Sequence, residues 1–175
     1  MPYSHPRFGT VFLSAAAALM LVGGPVHAQA GNPRPAAAEQ SPFLGEWELD
    51  LTRMPDSYGP PPKRVTFTFK DVGSGQWRTE IDITAPDGSV RHSAIQYRRD
   101  GKMALGEGDT SEADSAAFNS PEPNVLVMGL AKNKALGAVR VYTISADGKE
   151  MTESATNVDG TGAPFVRDFH FKRLR

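Results

Sequence analysis

The sequence predicts an all-β fold, an antiparallel up-and-down barrel of about eight to ten strands, and three observations predict it. Apolar and polar residues alternate with period two in segment after segment. Asp-Gly pairs recur between those segments, at Asp87-Gly88, Asp100-Gly101, Asp147-Gly148 and Asp159-Gly160. No stretch sustains apolar residues at helical spacing over three turns. A run of hairpins without crossover helices forms a meander, and closing it into a barrel removes its exposed edges.

The first segment reads as an address rather than structure. Residues 1–28 carry one charge, Arg7, followed by an apolar run from Val11 to Val22, a break at Gly23-Gly24-Pro25, and Val26-His27-Ala28. A basic start, an apolar run of ~7–15 residues and a small-x-small ending make a secretory signal peptide, with cleavage expected after Ala28 or Ala30. The run is too short for a membrane span, which needs ~20 apolar residues. The expected location is therefore periplasmic or secreted, with no membrane span in the mature chain. Residues 29–42, QAGNPRPAAAEQSP, read as a disordered lead-in, so the barrel domain is expected to occupy 43–175.

Within the domain, strands are expected over 45–51, 64–72, 76–84, 90–98, 102–106, 115–119, 124–131, 137–145, 150–157 and 165–174. Val65, Phe67 and Phe69 alternate with Arg64, Thr66, Thr68 and Lys70. Trp77, Ile81 and Ile83 lie opposite Arg78, Glu80 and Asp82. One face of each strand is thus apolar and the other wet. The Asp-Gly pairs fit the positive-φ positions of two-residue hairpin turns, and Gly73-Ser74-Gly75 and Asn133-Lys134 supply two more reversals. Thr110 to Phe118 allows a short helical turn started by Ser111-Glu112-Ala113-Asp114.

The chain has 175 residues, with 19 Lys+Arg against 20 Asp+Glu. That balance gives no basic field for nucleic acid, which is excluded as a partner. With no cysteine, the chain has no disulfide, no thiolate metal site and no Cys nucleophile. Gly-x-Ser-x-Gly, His-Glu-x-x-His and a phosphate-binding Gly loop are all absent. His92 and His170 lie on separate predicted strands, too few to converge with other ligands on a metal. Glu107, Asp109, Glu112 and Asp114 crowd into one segment without EF-hand spacing and read as a solvated loop. No catalytic residue, metal or cofactor is assigned, and the protein is expected not to be an enzyme.

Gly45-x-Trp47, continued by Leu49-Asp50, then Ser57-Tyr58-Gly59-Pro60-Pro61-Pro62-Lys63 and Val65-Thr66-Phe67-Thr68-Phe69, resembles the opening of lipocalins and their calycin relatives. With the Asp-Gly-separated strands and the ending Phe171-Lys172-Arg173, it is similar to a family of small secreted lipocalin-like bacterial proteins over residues 43–174. The resemblance implies a calycin-type barrel. It also implies a structural closure in which Trp47 of the first strand packs against Arg173 of the last, or against Arg167 in the alternative register.

Two outcomes are open for the inward apolar residues. They fill the barrel, or they line a pocket for a small hydrophobic ligand. In the second case Phe67, Phe69, Trp77, Ile81, Tyr97 and Phe169 are the candidate ligand-binding residues. Thr79, Ala94, Ala104 and Ala155 are expected to face inward and leave room. Ile95 and Tyr97 share a face with Arg91, and Tyr142 and Ile144 with Arg140, which suggests an external apolar patch for a protein partner or a covered strand. The Pro-rich connection after Asp50 reads as a rigid crossover over one end, or as a lid. The expected function is binding of a small hydrophobic molecule in the barrel. The alternative is a non-catalytic cell-envelope interaction or scaffold protein with a filled barrel.

Overall fold

A computed structural model of the protein describes residues 40–174. The predicted signal peptide and most of the lead-in lie outside the described residues. Ten strands follow one another: β1 (Gly45–Leu49), β2 (Arg64–Gly73), β3 (Gln76–Thr84), β4 (Val90–Arg98), β5 (Asp100–Gly108), β6 (Ser115–Glu122), β7 (Val125–Lys132), β8 (Ala135–Ile144), β9 (Glu150–Val158) and β10 (Pro164–Arg173). Each pairs antiparallel with its neighbours in sequence, and β1 pairs with both β2 and β10, so the sheet is a closed up-and-down barrel.

Period-two alternation works here because paired residues share a face. Trp47 pairs with Phe67 on β2 and with Arg173 on β10, Phe67 with Ile81, and Phe171 with Met151, all on the inner surface. The outer rows carry cross-strand ion pairs such as Lys70–Glu80 at 2.6 Å and Arg64–Glu48 at 2.9 Å. Exposed pairs of this kind contribute about 0–1 kcal/mol each, so the buried aromatic interior carries most of the stability.

The turns differ from expectation in length. Gly88 N–H donates to Ala85 O, and Ala85 N–H to Ser89 O, so Pro86 and Asp87 sit at the centre of a type I turn that Gly88 leaves at φ +91°. Gly148 ends a turn of the same kind. In the last hairpin the positive φ falls on Gly162, not Gly160, because the Asp159 carboxylate accepts from the backbone of Thr161 and Ala163 and shifts the turn. Asn133-Lys134, with φ of 51° and 66°, is the two-residue type. Gly108 is held by packing: a Cβ there would meet His92 O at 2.4 Å, where β5 joins β4.

Three further expectations are corrected. No helix forms between Thr110 and Phe118, because Asp114 Oδ2 accepts from Asn133 N–H and the chain enters β6 at Ser115. The first strand stops at Leu49, where the Asp50 carboxylate accepts from Thr52 N–H and Oγ1–H and starts a 3-10 turn over Leu51–Arg53. Ala94 faces outward: it pairs with Glu80 and Glu107 and is buried beside the Arg78 side chain that bridges those two acids.

Candidate functional site

The two ends of the barrel are built differently. At one end the Arg173 guanidinium lies 4.2 Å from the centre of the Trp47 ring, and Arg99 lies 3.8 Å from that of Trp77. Arg173 Nε–H donates to Gly148 O at 2.7 Å and Nη1–H to Leu44 O at 2.8 Å, and the Trp47 indole donates to Phe43 O at 2.9 Å. Burial pulls the Arg173 pKa below its ordinary value. Phe43 packs against Phe69 and Trp77, while Tyr97 stacks on Phe118 with ring centres 3.5 Å apart. The Tyr97 hydroxyl is hydrogen-bonded to Thr79 Oγ1 at 2.9 Å, and burial pushes its pKa up to about 12. The barrel interior at this end is filled with side chains, and a space lined by Leu44, Trp77 and Arg99 lies at the surface outside it.

The other end holds space. A cavity of ≈ 400 Å³ opens beneath the Pro-rich connection, walled by Phe67, Ile81, Ile83, Phe169 and Phe171 and roofed by Met54, Pro60 and Pro62. It continues past Ile81, Ser93 and Arg140 into a smaller space of ≈ 100 Å³, where Ile95, Gly106, Ala116 and Met128 form the wall. The void lies where inward residues on β4 to β6 are small, facing aromatic walls on β2 and β10.

The roof is anchored. After the 3-10 turn Asp56–Tyr58, Gly59 at φ +93° redirects the chain into Pro60-Pro61-Pro62. The Tyr58 hydroxyl accepts from Asp168 N–H at 3.0 Å, and its ring packs 5.3 Å from that of Phe169. β1 pairs with β10 only through residues 171–173, so Tyr58 takes up a backbone donor on the stretch of β10 that β1 leaves unpaired.

One polar cluster interrupts the apolar wall. Arg140, facing inward on β8, pairs with Glu153 on β9 at 3.0 Å, and its other terminal nitrogen pairs with Glu112 from the connection between β5 and β6. The Glu153 side chain is 4% exposed, that of Arg140 18% and that of Glu112 64%. Burial pushes the Glu153 carboxyl above the ordinary carboxylate range, and the Arg140 charge opposes that push. Burial also raises the neighbouring Tyr142 phenol. Arg140 Nε and the Tyr142 hydroxyl are both buried, and these two neighbours have no well-aligned hydrogen-bond partner other than each other among the described residues. Buried polar groups normally have partners, so this spot is suited to a polar atom from outside the chain.

Of the sequence-predicted site residues, the structure places Phe67, Ile81 and Phe169 on the cavity wall. Phe69, Trp77 and Tyr97 are packed within the filled end. Trp47 and Arg173 meet at the sealed floor, while Arg167 lies 5.1 Å from the Tyr58 ring at the opposite end. The face shared by Ile95, Tyr97 and Arg91, and that shared by Tyr142, Ile144 and Arg140, are interior, which removes the external patch inferred there. Exposed apolar residues include Met103, Leu105, Leu136 and Val139, on the outside of β5 and β8. The acidic segment is not simply solvated: Glu107 pairs with Arg78, Asp109 with Arg91 and Glu112 with Arg140. Sequence reasoning missed Glu153 and Glu112, although Arg140 in phase with Tyr142 and Ile144 signalled an inward charge.

No protein-family model matches the sequence, and no curated protein matches it. Among solved structures the chain is similar to wild-type fluorescent protein UnaG, at 13% identity and a TM-score of 0.53, covering 75% of this chain and 97% of that one. It is similar in the same way to an asparagine-to-alanine mutant of UnaG, at 14% identity and a TM-score of 0.53, covering 77% and 97%. At such identity the likeness shows the fold alone, and that fold is a closed calycin-type β-barrel.

Proposed function

We propose that this protein is an exported, non-catalytic binding protein that holds one small amphipathic molecule in the open half of its barrel. The observation that carries this reading is the cavity of ≈ 400 Å³, apolar on most of its wall, with Arg91, Ser93 and the Arg140 cluster as its polar groups. Ligand pockets are typically ~300–1,000 Å³, mostly apolar, with a few placed polar groups that orient the occupant. The leader pattern of residues 1–28 supports export. A filled-barrel interaction protein is the second reading. It is favoured by the outer face where Leu105 and Leu136, 79% and 83% exposed, flank the small residues Ser115 and Ala131 in one cross-strand row.

The test is a titration of a fluorescent fatty acid, followed by a displacement panel of lipids and pigments. Saturable binding is expected. Ile81→Trp, which fills the junction of the two spaces, should weaken it about tenfold or more, equivalent to ~1.4 kcal/mol, without lowering the melting temperature. Absence of saturable binding across the panel would overturn the carrier reading in favour of the interaction protein.

A further inference from the structure

Arg140 has two carboxylate partners of different kinds. Glu153 comes from the adjacent strand, and its side chain is almost wholly buried, so the pair belongs to the wall. Glu112 comes from residues 109–114, the connection that crosses the mouth on the far side of β6 and β7 from β8. Its carboxylate lines both the larger and the smaller space, yet its side chain is mostly exposed. A carboxylate in contact with water gains little from an ion pair, because solvent solvates it nearly as well and screens the attraction. Glu153 has no such alternative, since leaving it buried without Arg140 strands a charge in the interior. The Glu112 arm of the cluster is therefore the one that can open.

The surroundings make this opening consequential. The Asp109 carboxylate accepts from Ser111 N–H at 2.9 Å within the segment, and the Lys132 ammonium on β7 donates to Thr110 O, so the part of the segment before Glu112 is tied to the rim. Asp114 Oδ2 accepts from Asn133 N–H at 2.7 Å and ties the far end. Between these ties, among the described residues, the Glu112 side chain has Arg140 as its one recorded hydrogen-bond and ion-pair partner. A side chain that lines both cavity spaces and ends on the one cation lining both is a strap where they adjoin.

We propose that Glu112 is a resident carboxylate, a displaceable stand-in that occupies Arg140 in the empty protein, and that it sets the charge class of the occupant. An apolar molecule with an acidic group replaces the Glu112 carboxylate on the Arg140 guanidinium and frees the Glu112 side chain from the cavity. A neutral molecule of the same shape enters the apolar space without displacing it. No bond is made or broken; one carboxylate exchanges for another. The proposal deepens the binding-protein reading and rests on it.

The experiment uses the full chain and two probes that differ only in charge, an NBD-labelled stearic acid and its methyl ester. Glu112→Gln keeps the size of the side chain and removes the competing charge. It should tighten the acid about tenfold, equivalent to ~1.4 kcal/mol, and leave the ester within twofold. Because the chain has no cysteine, Ser111→Cys places a single environment-sensitive label beside the strap. Its emission should change on saturation with the acid and stay constant with the ester. If Glu112→Gln shifts both probes alike, or neither, or the label responds equally to both, the proposal is wrong while the carrier reading stands. If neither probe binds any variant, the proposal falls together with that reading. Should Glu112→Gln fold poorly, Glu112→Ala and the Ser111 label carry the same comparison.

Discussion

Replacing Arg140 by Leu should destabilise the protein strongly, and by more at neutral than at acid pH. The guanidinium is the counter-charge of Glu153, whose side chain is 4% exposed and sits 3.0 Å away. Removing one partner of a buried pair costs about 3–5 kcal/mol, because the other charge stays desolvated. At a urea slope of ~2 kcal/mol per M, typical of small domains, the midpoint falls by about 2 M. The sign of the pH dependence follows from the shift. Burial raises the Glu153 pKa in the folded state. The folded protein therefore binds this proton more tightly than the unfolded chain does. Stability contributed by the group is greatest at low pH and declines as pH rises from the unfolded pKa through the folded one. Taking away Arg140 removes the opposing charge and raises that pKa further, so the loss at pH 7 exceeds the loss at pH 4. Glu153→Leu should cost less, about 1.5–3 kcal/mol, the range of a hydrogen bond to a charged group, because Arg140 keeps Glu112. The double variant should return to within about 1 kcal/mol of the parent, since two matched apolar groups replace a buried pair at little net cost. Urea unfolding followed by the emission of Trp47 and Trp77, both in the sealed end away from the cluster, reads all of this. Equal Arg140→Leu losses at both pH values, or a double variant as unstable as the two single losses combined, would refute the reasoning.

Two further outcomes test the closed end and its edge. Trp47→Ala empties a fully buried indole site and should cost about 3–5 kcal/mol; an unchanged melting temperature in calorimetry would contradict the floor built from Trp47 and Arg173. The Asp50 carboxyl is held at a pKa of about 2 by Lys172 at 2.8 Å and by Thr52. Because that pKa is lowered, its stabilisation is complete above the ordinary carboxylate range and disappears as pH falls toward 2. Asp50→Asn should therefore lower the urea midpoint at pH 7 and flatten its decline between pH 4 and pH 2, with the two proteins converging at the acid end.

The barrel was legible in the sequence because a sheet with one buried face forces period two, and three of the four Asp-Gly pairs fall in turns while Asp100-Gly101 opens β5 just after its reversal. Trp47 and Arg173 were legible through the resemblance, which implies a Trp of the first strand packed on an Arg of the last, and the register of β1 with β10 sets the two opposite each other. Facing direction was harder. Ala94 looked like an inward residue because it is small and apolar. Its parity puts it outside, and it is buried by the long Arg78 side chain lying over the sheet, a cover that alternation cannot show. The shift of the last turn to Gly162 depends on the Asp159 carboxylate, a local competition between side chain and backbone that the Asp-Gly pattern does not encode.

The cavity was the least legible feature, for a physical reason. An empty space is made by what is missing from several strands at one height, not by a run of residues along the chain. Ser93 on β4, Gly106 on β5 and Ala116 on β6 are individually unremarkable. The register aligns them: Ile95 pairs with Gly106, Ser93 with Gly108, and Ala104 with Ala116, so one wall of the open half carries little side-chain volume. On the opposite wall β2 and β10 contribute Phe67, Phe169 and Phe171, too short to cross the barrel and fill the gap. At the other end β3, β4 and β6 carry Trp77, Tyr97 and Phe118, and there Tyr97 stacks on Phe118 and Trp77 meets Phe43. The same register brings Arg140 and Glu153 together across two adjacent strands, while Glu112 arrives from 28 positions earlier in the chain than Arg140. The sealed floor is written in large residues and can be read one strand at a time. The binding space is written in small ones and becomes readable once the pairing of β4, β5 and β6 is known.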